Sequence, residues 1–118
     1  MIFVVKYRKS LLVNGLDEDV KQAMYDISKL EDSLFTIDTQ ECDKDHIHML
    51  LDVDPTGSAS SIANRLKQMS THEMWKTHAD FLKTHFWKEH TLWSDGYFVC
   101  STGDASMETI KKYIEEQG

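Results

Sequence analysis

Residues 45–53, Asp-His-Ile-His-Met-Leu-Leu-Asp-Val, alternate in polarity along most of their length, and this pattern narrows the fold more than any other part of the chain. Successive side chains of a strand point to opposite faces, so Ile47, Met49, Leu51 and Val53 share one face while His46, His48, Leu50 and Asp52 share the other. Such a strand needs a core on one side only. The preceding segment, Leu34 to Gln40, alternates as well, with Phe35 and Ile37 separated from each other by polar Thr36 and followed by Asp38. Between the two lies the polar stretch Glu41-Cys42-Asp43-Lys44, and the pair is predicted to form an antiparallel hairpin.

Periodicity supplies the other elements. Ile2 to Tyr7 is a β-branched and aromatic run ending at basic residues, which predicts a strand buried on both faces. After the Asn14-Gly15 break, Asp17, Glu18 and Asp19 place negative charge where a helix N-terminus favours it. Val20, Ala23, Met24, Ile27 and Leu30 then follow at helical spacing. A second helix is predicted over Ser58–Met69, with Ala59, Ile62, Ala63, Leu66 and Met69 inward and Arg65 and Lys67 outward. Residues 72–90 mix apolar, His and Lys side chains and predict broken helix and loop. Trp93-Ser94-Asp95-Gly96 is turn chemistry leading into a predicted fourth strand, Tyr97–Cys100. Ser101 to Ser106 offers caps for a last helix carrying Met107, Ile110 and Ile114 on one stripe.

The order strand, helix, strand, strand, helix, strand, then a terminal helix, predicts an α+β fold. It is the ferredoxin-like split βαβ arrangement, with a four-stranded antiparallel sheet, helices on one face and the other face free. At 118 residues this is one domain, spanning 1–118. No window approaches the apolar length of a membrane span, and the short run Met1–Val5 meets Lys6 too soon for a secretory signal. The expectation is a soluble cytoplasmic protein without membrane contact, in which Cys42 and Cys100 are free thiols.

Charge limits the partners. The chain holds 13 Lys and Arg against 20 Asp and Glu, a net charge of -7, which argues against indiscriminate binding to nucleic acid or anionic lipid. Its distribution is uneven. Residues 1–9 contain Lys6, Arg8 and Lys9 and no acid, whereas residues 10–45 contain ten acids and three lysines. Residues 55–90 are again mildly basic and include four of the six histidines. A polyanion is expected only where the N-terminal stretch and the 65–90 region meet.

Two residue pairs carry chemistry. On the hairpin strand, period two sets the His46 and His48 Cα atoms about 6.5–7 Å apart on one face, within joint reach of a single metal ion. Taken alone, the same pattern also describes two half-exposed strand histidines. In the terminal helix Tyr113 and Gln117 stand four apart and flank the apolar stripe, about 60° and 20° from Ile110 respectively. A phenol there packs at the edge of a core, or attacks phosphorus where a metal activates the phosphate. Gln117 offers that metal a neutral oxygen, and a ligand set without negative charge still attracts a phosphodiester.

His46-Ile47-His48 within Asp45–Leu51, together with Tyr113 and Gln117 within Ile110–Gln117, resembles the single-tyrosine transposases of the insertion-sequence 200/605 family. These IS200-like enzymes are a branch of the His-hydrophobic-His (HUH) nucleases. Lys6-Tyr7-Arg8-Lys9, Arg65-Leu66-Lys67, Phe86-Trp87 and Leu92–Val99 also resemble the family pattern, so the likeness spans essentially the whole chain. The resemblance implies an enzyme that binds single-stranded DNA hairpins at transposon ends and cuts them with Mg²⁺ or Mn²⁺. It implies Tyr113 as the nucleophile, forming a 5′-phosphotyrosine link and leaving a free 3′-OH, with His46, His48 and Gln117 as metal ligands. It further implies a homodimer in which the tyrosine helix of one chain completes the site of the other. Lys6, Arg8, Lys9, Arg65 and Lys67 are the expected DNA contacts. Two rival readings use the same fold: a nucleic-acid-binding domain without catalysis, and a replication or plasmid-relaxation nuclease.

Overall fold

The computed structural model describes residues 1–101 and 107–116. Its strands are β1 (Ile2–Val4), β2 (Phe35–Cys42) and β3 (His46–Val53), and its helices are α1 (Leu16–Ser28), α2 (Ala59–Thr77), α3 (Ala79–Lys83) and α4 (Met107–Glu116). β3 is the central strand of an antiparallel sheet ordered β1-β3-β2. The predicted hairpin is β2 and β3, with a register shift between Ile37 and Thr39. Ile47 and Met49 are fully buried beneath α1 and α2, and His46 and His48 face the opposite way, as the alternation predicts. Val53, at the strand end, is exposed.

α1 begins where the sequence places it. Asn14 and Gly15 both take left-handed backbone angles, φ 57° and 98°, which turn the chain into the helix. Val20, Ala23, Met24 and Ile27 pack into the core, while Leu30 lies beyond the helix and is exposed. α2 runs eight residues past the predicted end at Met69, to Thr77, because Met74 and Trp75 continue its buried face. Ser58 caps it by accepting from the Ser61 amide at 3.2 Å.

Three expectations are corrected. The sheet has three strands among the described residues, and Tyr97–Cys100 is not a fourth. Instead the 93–98 segment touches β1 and its extension at two isolated bridges, Val5 with Trp93 and Ile2 with Phe98. Three residue steps on one side (2 to 5) oppose five on the other (93 to 98), so two surplus residues bulge out around Asp95-Gly96 and break the ladder. Second, β1 stops at Val4 and not at Tyr7, because the chain turns through a 3₁₀ segment, Lys6–Arg8, in which Tyr7 and Arg8 have φ of 60° and 52°. Third, helices do not keep to one face: α4 lies against the face that carries the two histidines. The predicted caps at 102–106 lie outside the described residues.

Candidate active site

β3 presents His46 and His48 to a groove of about 540 Å³, because the intervening Ile47 is anchored in the core at 0% exposure. The groove is walled by Arg8 and Asp43–Asp45 on one side and by Glu108, Ile110, Lys111, Ile114 and Glu115 of α4 on the other. His46 is held firmly: its Nδ1 donates to Asp45 Oδ1 at 2.8 Å. Arg8 Nε stands 3.8 Å from Asp45 Oδ2, and Arg8 Nη1 donates to the Glu115 carbonyl at 3.2 Å. One guanidinium thus bridges the histidine strand and the end of α4. Burial lowers the His48 pKa, and the Met1 ammonium adds to this effect. That amine is itself fixed, donating to the Met49 carbonyl at 2.9 Å. His48 is therefore biased toward the neutral imidazole, the form that binds cations.

Tyr113 belongs to the helix that walls the groove, yet its ring turns elsewhere. It packs 5.4 Å from the Phe98 ring, and a Cβ on Gly96 would stand only 3.5 Å from its hydroxyl. The hydroxyl is buried with no hydrogen-bond partner among the described residues, and burial raises its pKa above the usual value near 10. Here the phenol holds its proton. The Asp95-Gly96 bulge that receives it is pinned from the far side by Lys67, whose Nζ donates to the Asp95 and Gly96 carbonyls at 2.8 and 3.3 Å. Those carbonyls lack ladder partners, and the lysine replaces the missing strand; burial in turn lowers the Lys67 pKa.

The structure therefore brings His46 and His48 together with Arg8 and the body of α4, and it places the Tyr113 phenol outside their groove. Gln117 lies outside the described residues. The other expected DNA contacts are dispersed. Lys6 pairs with Glu89 at 3.3 Å, and Lys9 is half-buried. Arg65 pairs with Asp32 at 2.6 Å and holds that carboxyl below its ordinary pKa. Trp75 and Trp93 are buried, whereas Trp87 is 76% exposed with the Lys88 ammonium 4.5 Å from its ring centre. Asp45 and Gly96 do not stand out in the sequence as site residues. Adjacency to His46 was the only signal for Asp45, and strict alternation argues against it, because a neighbour within a strand points to the other face. Asp45 escapes that rule by standing one residue before β3.

A family model for IS200-like transposases matches residues 1–117. The chain belongs to that family. Its similarity to the ISDra2 transposase TnpA of Deinococcus radiodurans is 31% identity over 117 residues, covering 99% of this chain and 81% of that protein. The transposase for insertion sequence element IS200 of Salmonella typhimurium is 36% identical over 77 residues, covering 65% of this chain and 49% of the Salmonella protein. A crystal structure of a Deinococcus radiodurans R1 protein assigned as a transposase superposes with a TM-score of 0.86 at 27% identity, covering 98% of this chain and 86% of that one. As a member of the IS200-like transposase family, the chain is of a class of enzymes that act on DNA. No helix among the described residues is long and apolar enough to cross a membrane.

In this IS200-like transposase the chemistry of the groove fits a divalent cation in part. His46 and His48 supply two imidazoles on one face, the first oriented by a carboxylate and the second biased toward neutrality. Among the described residues no third His, Cys, Asp or Glu joins them as a ready ligand set.

Proposed function

We propose that this transposase cleaves and rejoins single-stranded DNA at the hairpin ends of an insertion sequence, with Tyr113 as the nucleophile. The observation that carries this reading is the pairing of His46 and His48 in a groove roofed by the helix that bears Tyr113. The Tyr113 hydroxyl attacks the scissile phosphorus. The new bond joins the phenol oxygen to phosphorus as a 5′-phosphotyrosine, and the bond from phosphorus to the 3′ oxygen breaks. The phenol gives up its proton, and the departing oxygen takes one to become the free 3′-OH. Rejoining reverses these steps with a different 3′-OH. His46 and His48, with Gln117, would hold a Mg²⁺ or Mn²⁺ ion. Such an ion supplies polarisation of the phosphate and stabilisation of the charge on the leaving oxygen. Arg8, already at the groove, is suited to grip a DNA phosphate, with Lys6, Lys9, Arg65 and Lys67 as further contacts.

The phenol has to reach that phosphate from its seat against Gly96 and Phe98. Either α4 shifts on its own chain, or α4 of a second copy in a homodimer delivers its tyrosine instead. The apolar stripe of α4 is narrow, and its described positions Ile110 and Ile114, like the flanking Tyr113, are only half-buried, which supports a helix that changes seats at modest cost. The test is a labelled single-stranded hairpin from a transposon end, incubated with the protein and Mn²⁺. A covalent protein–DNA band is expected and is lost in Tyr113→Phe. A band that persists in that variant removes Tyr113 from the role. Absence of any band with the intact protein, alongside measurable DNA binding, favours the non-catalytic reading.

A further inference from the structure

His46 is the more tightly governed of the two histidines, and the group that governs it has no assigned part in the chemistry. Asp45 Oδ1 lies 2.8 Å from His46 Nδ1, and a carboxylate only accepts, so Nδ1 carries the ring proton. The other ring nitrogen, Nε2, is then the one with a free lone pair. A histidine in solution mixes both tautomers and samples several ring orientations; this one is fixed in both respects by a residue next to it in sequence. The second carboxylate oxygen is 3.8 Å from Arg8 Nε, so the side chain is braced from two directions. Asp45 is only 18% exposed, and its own backbone is locked because the Val5 amide donates to the Asp45 carbonyl at 2.9 Å. Among the described residues His48 has no such carboxylate partner in hydrogen-bond contact, and burial and the neighbouring Met1 ammonium lower its pKa.

We propose that Asp45 is a positioning residue of the cation site: it sets the His46 tautomer and ring angle so that Nε2 is offered to the ion. This rests on the proposed function in taking the histidine pair as the cation site. A carboxylate behind a ligating imidazole fixes the ring and raises its basicity, and losing such a partner typically weakens metal binding about 10- to 100-fold. Arg8 joins the same carboxylate to the Glu115 carbonyl, so the orientation of His46 and the seat of α4 share one bridge.

Two measurements on the full chain test this. The first is the ¹⁵N chemical shift pattern of the His46 ring without metal, which reports the tautomer directly. The second is the affinity for Mn²⁺ by titration calorimetry, without DNA. The intact protein is expected to show the Nδ1–H tautomer at His46. Asp45→Ala is expected to shift that ring toward Nε2–H, leave the His48 signals in place and weaken Mn²⁺ binding about 10- to 100-fold. Should that variant fail to fold, Asp45→Asn keeps the shape and an acceptor oxygen without the charge, and a loss near 10-fold is expected. An Nε2–H tautomer at His46 in the intact protein overturns the proposal. So does Asp45→Ala matching the intact protein in both measurements, or, where only the asparagine variant folds, Asp45→Asn binding Mn²⁺ as the intact protein does. Failure of the intact protein to bind Mn²⁺ falls on the proposed function, while the metal-free tautomer still reports on Asp45.

Discussion

Replacing Tyr113 by Phe is expected to move stability and activity in opposite directions. The ring stays 5.4 Å from Phe98 in either case, so the packing is kept and only the oxygen goes. That oxygen is buried without a partner among the described residues, and a stranded hydroxyl typically costs about 1–3 kcal/mol. Tyr113 is half-buried on a helix of 10 residues, so the lower part of that range applies, about 1–1.5 kcal/mol. At about 1.4 kcal/mol per factor of ten, α4 opens roughly 5- to 12-fold less often. Among the described side chains the central core draws on residues from Met1 to Tyr97 and none from α4, so the gain belongs to helix docking and not to global unfolding. Amide hydrogen exchange over residues 107–116, followed by mass spectrometry, reads it: slower exchange there, little change in α1 or β3, and no covalent DNA adduct. Exchange in α4 that is unchanged or faster refutes the reasoning, since it means the hydroxyl makes a stabilising contact in that seat.

Four further outcomes follow from named residues. His48→Ala removes an imidazole from the groove face of β3 and is expected to abolish cleavage while shifting stability by about 1 kcal/mol or less; mixing it with Tyr113→Phe restores an adduct only if the tyrosine acts across a dimer. Ile47→Ala empties a site with 0% exposure between the two histidines, and chemical denaturation should show a loss of about 2–5 kcal/mol. Burial raises the Tyr113 pKa above its unfolded value near 10, so the native state keeps that proton longer. Stability is therefore full below about pH 10 and falls as pH rises through the folded pKa, where ionising the buried phenol is penalised; an absorbance titration should show a late-ionising tyrosine, and that late step should vanish in Tyr113→Phe. Burial pushes the Cys42 thiol up to about 11 while Cys100 is exposed, so a thiol reagent at pH 8 should modify Cys100 quickly and Cys42 slowly, with Cys100→Ser removing the fast phase.

The sequence by itself determined the local elements and the chemistry they carry. Alternation over 45–53 set which face of β3 enters the core, and thereby put His46 and His48 side by side; the spacing Val20, Ala23, Met24, Ile27 set the inward face of α1. Such patterns are local, repeating every two or 3.6 residues, and need no knowledge of distant partners. The tertiary structure alone decided what depends on residues far apart in the chain. The failure of Tyr97–Cys100 as a strand comes from a mismatch of two residues against β1, and its bulge is closed by Lys67 from α2. The seat of Tyr113 depends on Gly96 and Phe98, and the bracing of His46 joins Asp45 to Arg8 and, through Arg8, to Glu115. Periodicity tells which way a side chain faces, but what it meets there is set by the packing of the whole chain.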